Sequence, residues 1–300
     1  MGTPDIAATC LRRLCEDGHD IAAVYTKPDT PKGRGHKLAQ SPVKELALAR
    51  GIPVLQPESL RTAEAAETLR ALRPELVAVV AYGKLLPKAV LDVPPLGCIN
   101  IHGSLLPALR GSGPVQWAIL NHLDVTGVTA MYLAEEMDAG DMIAEKSLTI
   151  DPMETSGELM DRIAVLGAEL LSETVRAIGN GTARRTPQDP AKVTFAPMLS
   201  KDLSPIDWRG SSREIIDQVR GLQPWPVATA ELGGTGFKIF RVEPTGRTAE
   251  AAPGTLLGLT KQGLEIACGS GAVLCITELQ ASGGKRMRAA DYFRGHPIEI

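Results

Sequence analysis

The period of the apolar pattern changes once along this chain, and that change constrains the fold more than any single motif. From Ile6 to about Ile178, helix-spaced segments alternate with short apolar runs, the pattern of a parallel α/β sheet with its connecting helices. Residues 179–205 then lose all periodicity, with Gly179, Gly181, Pro187, Pro190, Pro197 and Pro205 spread through polar sequence. Strand-like runs follow at 226–232, 236–243, 254–260, 263–268 and 272–279, separated by glycine-containing turns. Five short strands with hardly any helix predict a small β-barrel, and periodicity does not separate the oligonucleotide-binding type from other small barrels. The 300 residues therefore divide into 1–181, a linker over 182–203, and 204–300.

Local signals place the elements. Ile6–Cys15 reads as a helix stopped by Gly18, and Ile21–Thr26 as a strand. Ser41 and Pro42 supply an N-cap and a first helical residue for a helix running to Arg50. Leu76–Tyr82 and Cys98–His102 are apolar enough to be strands covered on both faces, in the middle of the sheet. Thr155 and Glu158 have capping-box spacing, and apolar positions recur at helical intervals from 159 to 178, so a long amphipathic helix ends near Gly179. Ser211 and Glu214 repeat that spacing before a shorter helix.

With 44% hydrophobic and 22% charged residues, disordered, collagenous and coiled-coil readings drop out. A net charge of −3 argues against gripping nucleic acid with the whole surface and leaves room for a local basic patch. The longest aliphatic run, Leu76–Ala81, falls far short of the roughly 20 residues that span a bilayer, and no signal-peptide pattern follows Met1. Cys10, Cys15, Cys98, Cys268 and Cys275 form no C-x-x-C pair and no zinc spacing, so they read as reduced packing residues in a cytosolic protein, with no metal. Gly33-Arg34-Gly35 is too short for a phosphate loop and no G-x-G-x-x-G follows a strand, which argues against nucleotide cofactors.

The stretch richest in chemistry is Cys98–Pro107. In a strand, Asn100 and His102 point to one side, about 6–7 Å apart, and the end of an α/β strand is where ligands bind. By itself the pair is equally readable as a satisfied Asn and His at a strand end. The turn Glu135–Asp141 follows the strand-like Val128–Leu133; it is either a solvated acidic loop or the source of a carboxylate that orients an imidazole. Lys27, Lys32, Arg34, Lys37 and Lys44 stand against Asp29 alone, either a solvated face or an anion-binding segment.

Asn-x-His-x-Ser-Leu-Leu-Pro over 100–107, with an Asp 36 positions after the histidine in a Met-Asp-x-Gly-Asp turn, resembles the folate-dependent formyltransferases. Further motifs are similar to the branch acting on methionyl-tRNA: Gly2–Asp5, Lys27-Pro28-Asp29 with Gly33-Arg34-Gly35, Ser41–Lys44, Val80–Gly83, Gly113-Pro114, Asp207-Trp208 and Pro224-Trp225-Pro226. The resemblance implies a Rossmann-like doubly wound catalytic domain over 1–181 and an OB-like, tRNA-binding domain over 204–300. It implies formyl transfer from 10-formyltetrahydrofolate to the α-amine of initiator methionyl-tRNA; no metal is expected because that donor is already activated, and a cytoplasmic monomer is the default expectation. Asn100, His102 and Asp138 would be catalytic; Ser104, Leu105, Leu106 and Pro107 would contact the folate; Arg34 and Lys37 would meet the tRNA.

Relatives of this kind begin with an apolar strand before Gly-Thr-Pro, whereas this sequence reaches Gly2-Thr3-Pro4 directly after Met1. The reading is that a start about eight residues upstream supplies that strand, and that the sheet otherwise carries a gap. Lys285, Arg286 and Arg288 form the one dense cluster after residue 201, open between a solubilising turn and a tRNA-backbone contact. Trp208 and Trp225 read as packing residues. Rival readings are formyltransferases acting on amino-sugar nucleotides or glycinamide ribonucleotide, formyl-folate hydrolases, a catalytically silent RNA-binding protein, and a dinucleotide dehydrogenase.

Overall fold

Local sequence sets most element ends in the computed structural model, which describes residues 1–32 and 37–299. The helix Asp5–Glu16 buries Ala7, Cys10, Leu11 and Leu14 on one face, and Gly18 beyond it takes a left-handed φ of 78°. The helix Pro42–Ala49 is capped by the Ser41 hydroxyl, which accepts from the Lys44 N–H. Both capping boxes form: Thr155 and Glu158 at the head of the helix Ser156–Gly179, and Ser211 and Glu214 at Ser212–Gly221.

The chain forms two compact units that interleave in sequence. One comprises Met1–Pro114, Val125–Leu148 and Met160–Pro197; the other comprises Val115–Asp124, Thr149–Leu159 and Met198–Ile300. The chain passes from the first to the second between Pro197 and Met198, inside the aperiodic stretch 182–203. Two early segments join the second unit through packing that no local pattern announces. Gly221 leaves room for Ile119 and Leu120, and the Arg220 guanidinium donates to the carbonyls of Asp151 and Glu154.

In the first unit, Val24–Tyr25 pairs in parallel with Val54–Leu55, and a separate four-stranded sheet runs in the order Val77–Val79, Cys98–His102, Val125–Tyr132, Met142–Thr149. Its first pair is parallel and its second antiparallel, so the sheet is mixed rather than parallel throughout. The antiparallel pair is joined through residues 103–124, where the one helix is the seven-residue Pro114–Leu120.

Met1 and Gly2 tie the two sheets together. The Met1 ammonium donates to the Ala78 carbonyl (2.6 Å), Val80 N–H donates to Met1 O, and Gly2 N–H donates to Tyr25 O. A cavity of about 350 Å³ lies beside this bridge, lined by residues of both sheets including Val24 and Val77. Desolvation of the ammonium pushes it down from 8.0 to about 6.

The second unit holds a six-stranded antiparallel sheet in the order Leu256–Leu259, Leu264–Ala267, Ala272–Ala281, Thr235–Thr248, Ala228–Leu232, with Met287–Arg288 added to Ala272–Ala281. Its core gathers Ile215, Leu222, Ile239, Ile266, Leu274 and Ile276. The barrel expected from five strands does not close: among the described residues the outer strands do not pair with each other. Those strands are only four and five residues long, and the far edge of Ala228–Leu232 is taken by the segment before it: Ile206 N–H donates to Thr229 O, and Thr229 N–H donates to Ser204 O. Register shifts in Thr235–Thr248 give that long strand its bends.

Candidate active site

The strand Cys98–His102 is paired on both sides, which fixes where its alternating side chains point. Val79 lies opposite Asn100 on one flank; Met131 and Thr129 lie opposite Asn100 and His102 on the other. Ile99 and Ile101 are buried on the opposite face, leaving Asn100 and His102 together at the strand's carboxyl end. Asn100 is half-buried, and among the described residues its carboxamide makes no hydrogen bond. An amide left in that state at a strand end is available to a ligand.

His102 is buried, and its Nε2 lies 2.9 Å from the Leu109 carbonyl. A carbonyl only accepts, so Nε2 carries a proton and Nδ1 is the nitrogen turned to Asp138. The Asp138 Oδ2 is 3.7 Å from Nδ1, too far for a hydrogen bond, and accepts from the Gly111 N–H at 2.9 Å. Asp138 itself takes a left-handed φ of 52°, in a turn where a Cβ at Gly140 would run into the Tyr132 carbonyl. The sequence-predicted trio is thus gathered on one side of one sheet, with the carboxylate facing the imidazole.

The loop after His102 is built from its own polar groups. Ser104 Oγ donates to Ala108 O, Thr129 Oγ1 donates to Ser104 O, and Leu106 N–H donates to Thr129 Oγ1. Ser104 and Leu106 point inward and are buried, while Leu105 and Pro107 keep partly exposed surfaces. Of the four residues read as folate contacts, two side chains therefore hold the loop and two are open to a ligand.

In the basic segment, Thr30–Lys32 and Lys37–Ala39 form an antiparallel hairpin. Lys37 opens its second strand, and Arg34 lies outside the described residues. Lys44 is not a free cation: its Nζ contacts Asp29 (2.7 Å) and Gln56 (2.8 Å), and Gln56 reaches back to the Lys27 carbonyl. The Lys44 and Gln56 hydrogen bonds hold the Asp29 carboxyl below its ordinary range. Nothing in the local sequence singled out Gln56.

In the second unit, Arg286 pairs with Glu278 and lies 4.5 Å over the Phe240 ring, and Arg288 donates to the Lys261 carbonyl. Trp208 packs against the core, but Trp225, read as a packing residue, stands 51% exposed between Pro224 and Pro226. Its two proline neighbours hold the backbone in a turn that carries the indole outward. Sequence reasoning also missed the pair His122 Nδ1 and Asp217 Oδ2, 2.7 Å apart, whose members are 95 positions apart. Among the described residues no group of three or more His, Cys, Asp or Glu side chains is arranged to hold a metal ion, and no helix is long and apolar enough to cross a membrane.

Residues 1–175 match the Formyl transferase family, and residues 198–297 match Formyl transferase, C-terminal domain. The chain is 44% identical to the methionyl-tRNA formyltransferase of Bacillus subtilis (strain 168), over 100% of this chain and 94% of that one. It is 48% identical to the protein of the same name from Pelobacter propionicus, over 99% of this chain and 92% of that one. Among solved structures it is similar to an N-formyltransferase from Helicobacter canadensis in complex with folinic acid and dTDP-3-aminofucose. The TM-score is 0.70 at 18% identity, covering 92% of this chain and 96% of that one. It also resembles HypX from Aquifex aeolicus in complex with tetrahydrofolic acid, with TM-score 0.60 at 21% identity, covering 83% of this chain and 43% of that one. These two structural likenesses concern the fold alone.

Proposed function

The chain belongs to the formyl transferase family, and from that premise we propose that it transfers the formyl group of 10-formyltetrahydrofolate to the α-amino group of methionyl initiator tRNA, for translation initiation. The observation that carries the chemistry is the unpartnered Asn100 carboxamide beside the His102 and Asp138 pair. The acceptor is supported by likeness along the whole chain to proteins named for methionyl-tRNA.

An amine attacking the formyl carbon forms the new C–N bond, builds negative charge on the formyl oxygen and must lose a proton; collapse of that intermediate breaks the formyl bond to N10 of the folate, which takes up a proton and leaves as tetrahydrofolate. Asn100 is the donor for that oxygen, because its N–H groups are already in place and unspent. His102, with Nε2 held by Leu109, turns Nδ1 toward Asp138, and when protonated the ring sets positive charge beside the reacting carbon. Donation by Nε2 to the substrate itself requires release of the Leu109 carbonyl, so substrate binding exchanges one contact for the other. Asp138 stabilises the charged ring and orders a water that accepts the amine proton. Leu105 and Pro107 offer apolar edges to the folate, and Ser104 and Leu106 act through the loop backbone.

In this reading residues 1–181 form a Rossmann-like catalytic domain and 204–300 an OB-like tRNA-binding domain. Arg34 and Lys37 meet the acceptor end, giving salt-dependent affinity. The protein works as a cytoplasmic monomer. Single-turnover formylation of initiator methionyl-tRNA with 10-formyltetrahydrofolate tests the reading. Transfer to methionine supports it, and transfer only to a dTDP-amino sugar replaces it with the sugar N-formyltransferase reading.

A further inference from the structure

From the aperiodic stretch, where residues 184–187 and 189–190 are exposed, one side chain turns inward: Gln188 is half-buried. Its Nε2 donates to two carbonyls of the acidic turn, Asp138 O (2.8 Å) and Gly140 O (2.9 Å). Its Oε1 accepts from Arg110 Nε (3.0 Å) and Nη2 (2.7 Å). Arg110 is itself only 9% exposed, and its other contact is the solvent-facing Glu136 carboxylate at 3.4 Å.

Every donor and acceptor of this carboxamide is used, and only one orientation uses them. Rotating the amide by half a turn would set N–H against guanidinium and oxygen against two carbonyls. Neither a carboxylate nor an ammonium bridges a guanidinium to a pair of carbonyls; an amide does both. The bridge spans the two loops that define Asp138. Gln188 holds the carbonyl of the left-handed Asp138 and that of Gly140 two residues on, and Arg110 adjoins Gly111, whose N–H donates to the Asp138 carboxylate. The same strip is anchored to the 109–111 loop by Leu109 N–H to Thr194 Oγ1, Arg110 N–H to Thr194 O, and Ala196 N–H to Arg110 O.

We propose that Gln188 is a positioning residue: clamped by Arg110, it fixes the Asp138 backbone so that the carboxylate rests on Gly111 and faces His102. The effect on turnover rests on the formyl-transfer reading above; the clamp itself does not.

Two variants test it, Gln188→Leu, which keeps volume and removes every hydrogen bond, and Gln188→Glu. Displacing a reacting group by about 1 Å costs on the order of 100-fold, so Gln188→Leu lowers the single-turnover rate roughly 10- to 100-fold. KM for 10-formyltetrahydrofolate stays within about threefold of wild type. Exchange of the Gly111 amide proton, followed by NMR, accelerates. Gln188→Glu is equally slow at neutral pH. As pH falls toward the carboxyl range, near about 4.3, its protonated form donates to a carbonyl again. Its rate relative to wild type therefore rises, while the leucine variant's ratio stays flat. A Gln188→Leu rate within twofold of wild type, an unchanged Gly111 amide, or a flat ratio for Gln188→Glu overturns the proposal. If wild type transfers no formyl group to methionyl-tRNA, the functional reading has failed, and faster Gly111 exchange in the leucine variant still supports the clamp.

Discussion

Two histidine–aspartate pairs sit among the described residues, and they are built in opposite ways. In the second unit His122 Nδ1 lies 2.7 Å from Asp217, which is 3% exposed and also accepts from Arg220 Nε at 2.6 Å, with Arg213 at 3.5 Å. The carboxylate faces three cation-forming groups, and the Arg220 guanidinium goes on to two backbone carbonyls. In the first unit His102 and Asp138 stop at 3.7 Å, with one backbone N–H on the carboxylate and an unpartnered Asn100 alongside. A pair whose valences are spent internally joins helices; a pair left slack beside a free amide retains capacity for a ligand.

Removing Asp217 gives the largest expected effect. Asp217→Ala leaves the buried Arg220 without its carboxylate and costs on the order of 3–5 kcal/mol, read as a lower urea midpoint. The rate per folded molecule stays unchanged; a stable protein with slow transfer would erase the contrast between the pairs. Next is Asn100→Ala, which removes one oxyanion donor. Turnover falls roughly 100- to 1,000-fold with little change in melting temperature, and a loss under about threefold would sink the assignment.

The Met1 ammonium is another charge taken out of water, and its hydrogen-bond partner is the Ala78 carbonyl. Its folded value, about 6, lies below the ordinary 8.0, so between pH 8 and pH 6 the unfolded chain binds more protons. Stability present above pH 8 is therefore lost as pH falls through 6, by on the order of 2–3 kcal/mol in urea titrations at the two pH values. The smallest effect belongs to His122→Ala. Its ring is 36% exposed and Asp217 keeps Arg220, so the loss is about 1 kcal/mol in the urea midpoint.

These contrasts follow how far each feature extends along the chain. Asn100 and His102 were legible because two residues in one strand share a face by geometry, and the resemblance supplied Asp138. Both capping boxes, the helix stop at Gly18 and the five later strands were legible for the same reason: each is written within a few residues. The antiparallel turn into Val125–Tyr132, the open strand order of the second unit and the exposed Trp225 were not, because each depends on where neighbouring elements leave room.

The sequence by itself determined where the capped helices begin, which strand carries Asn100 and His102 on one face, and how the two kinds of secondary structure divide the chain. Only the tertiary structure decided that residues 115–124 and 149–159 join the second unit, that Gln188 reaches the acidic turn, and which His–Asp pair is slack. The physical reason is range. Backbone propensity, capping and side-chain alternation act over one to four residues, whereas a hydrogen bond between residues 95 positions apart exists only after the whole core has packed.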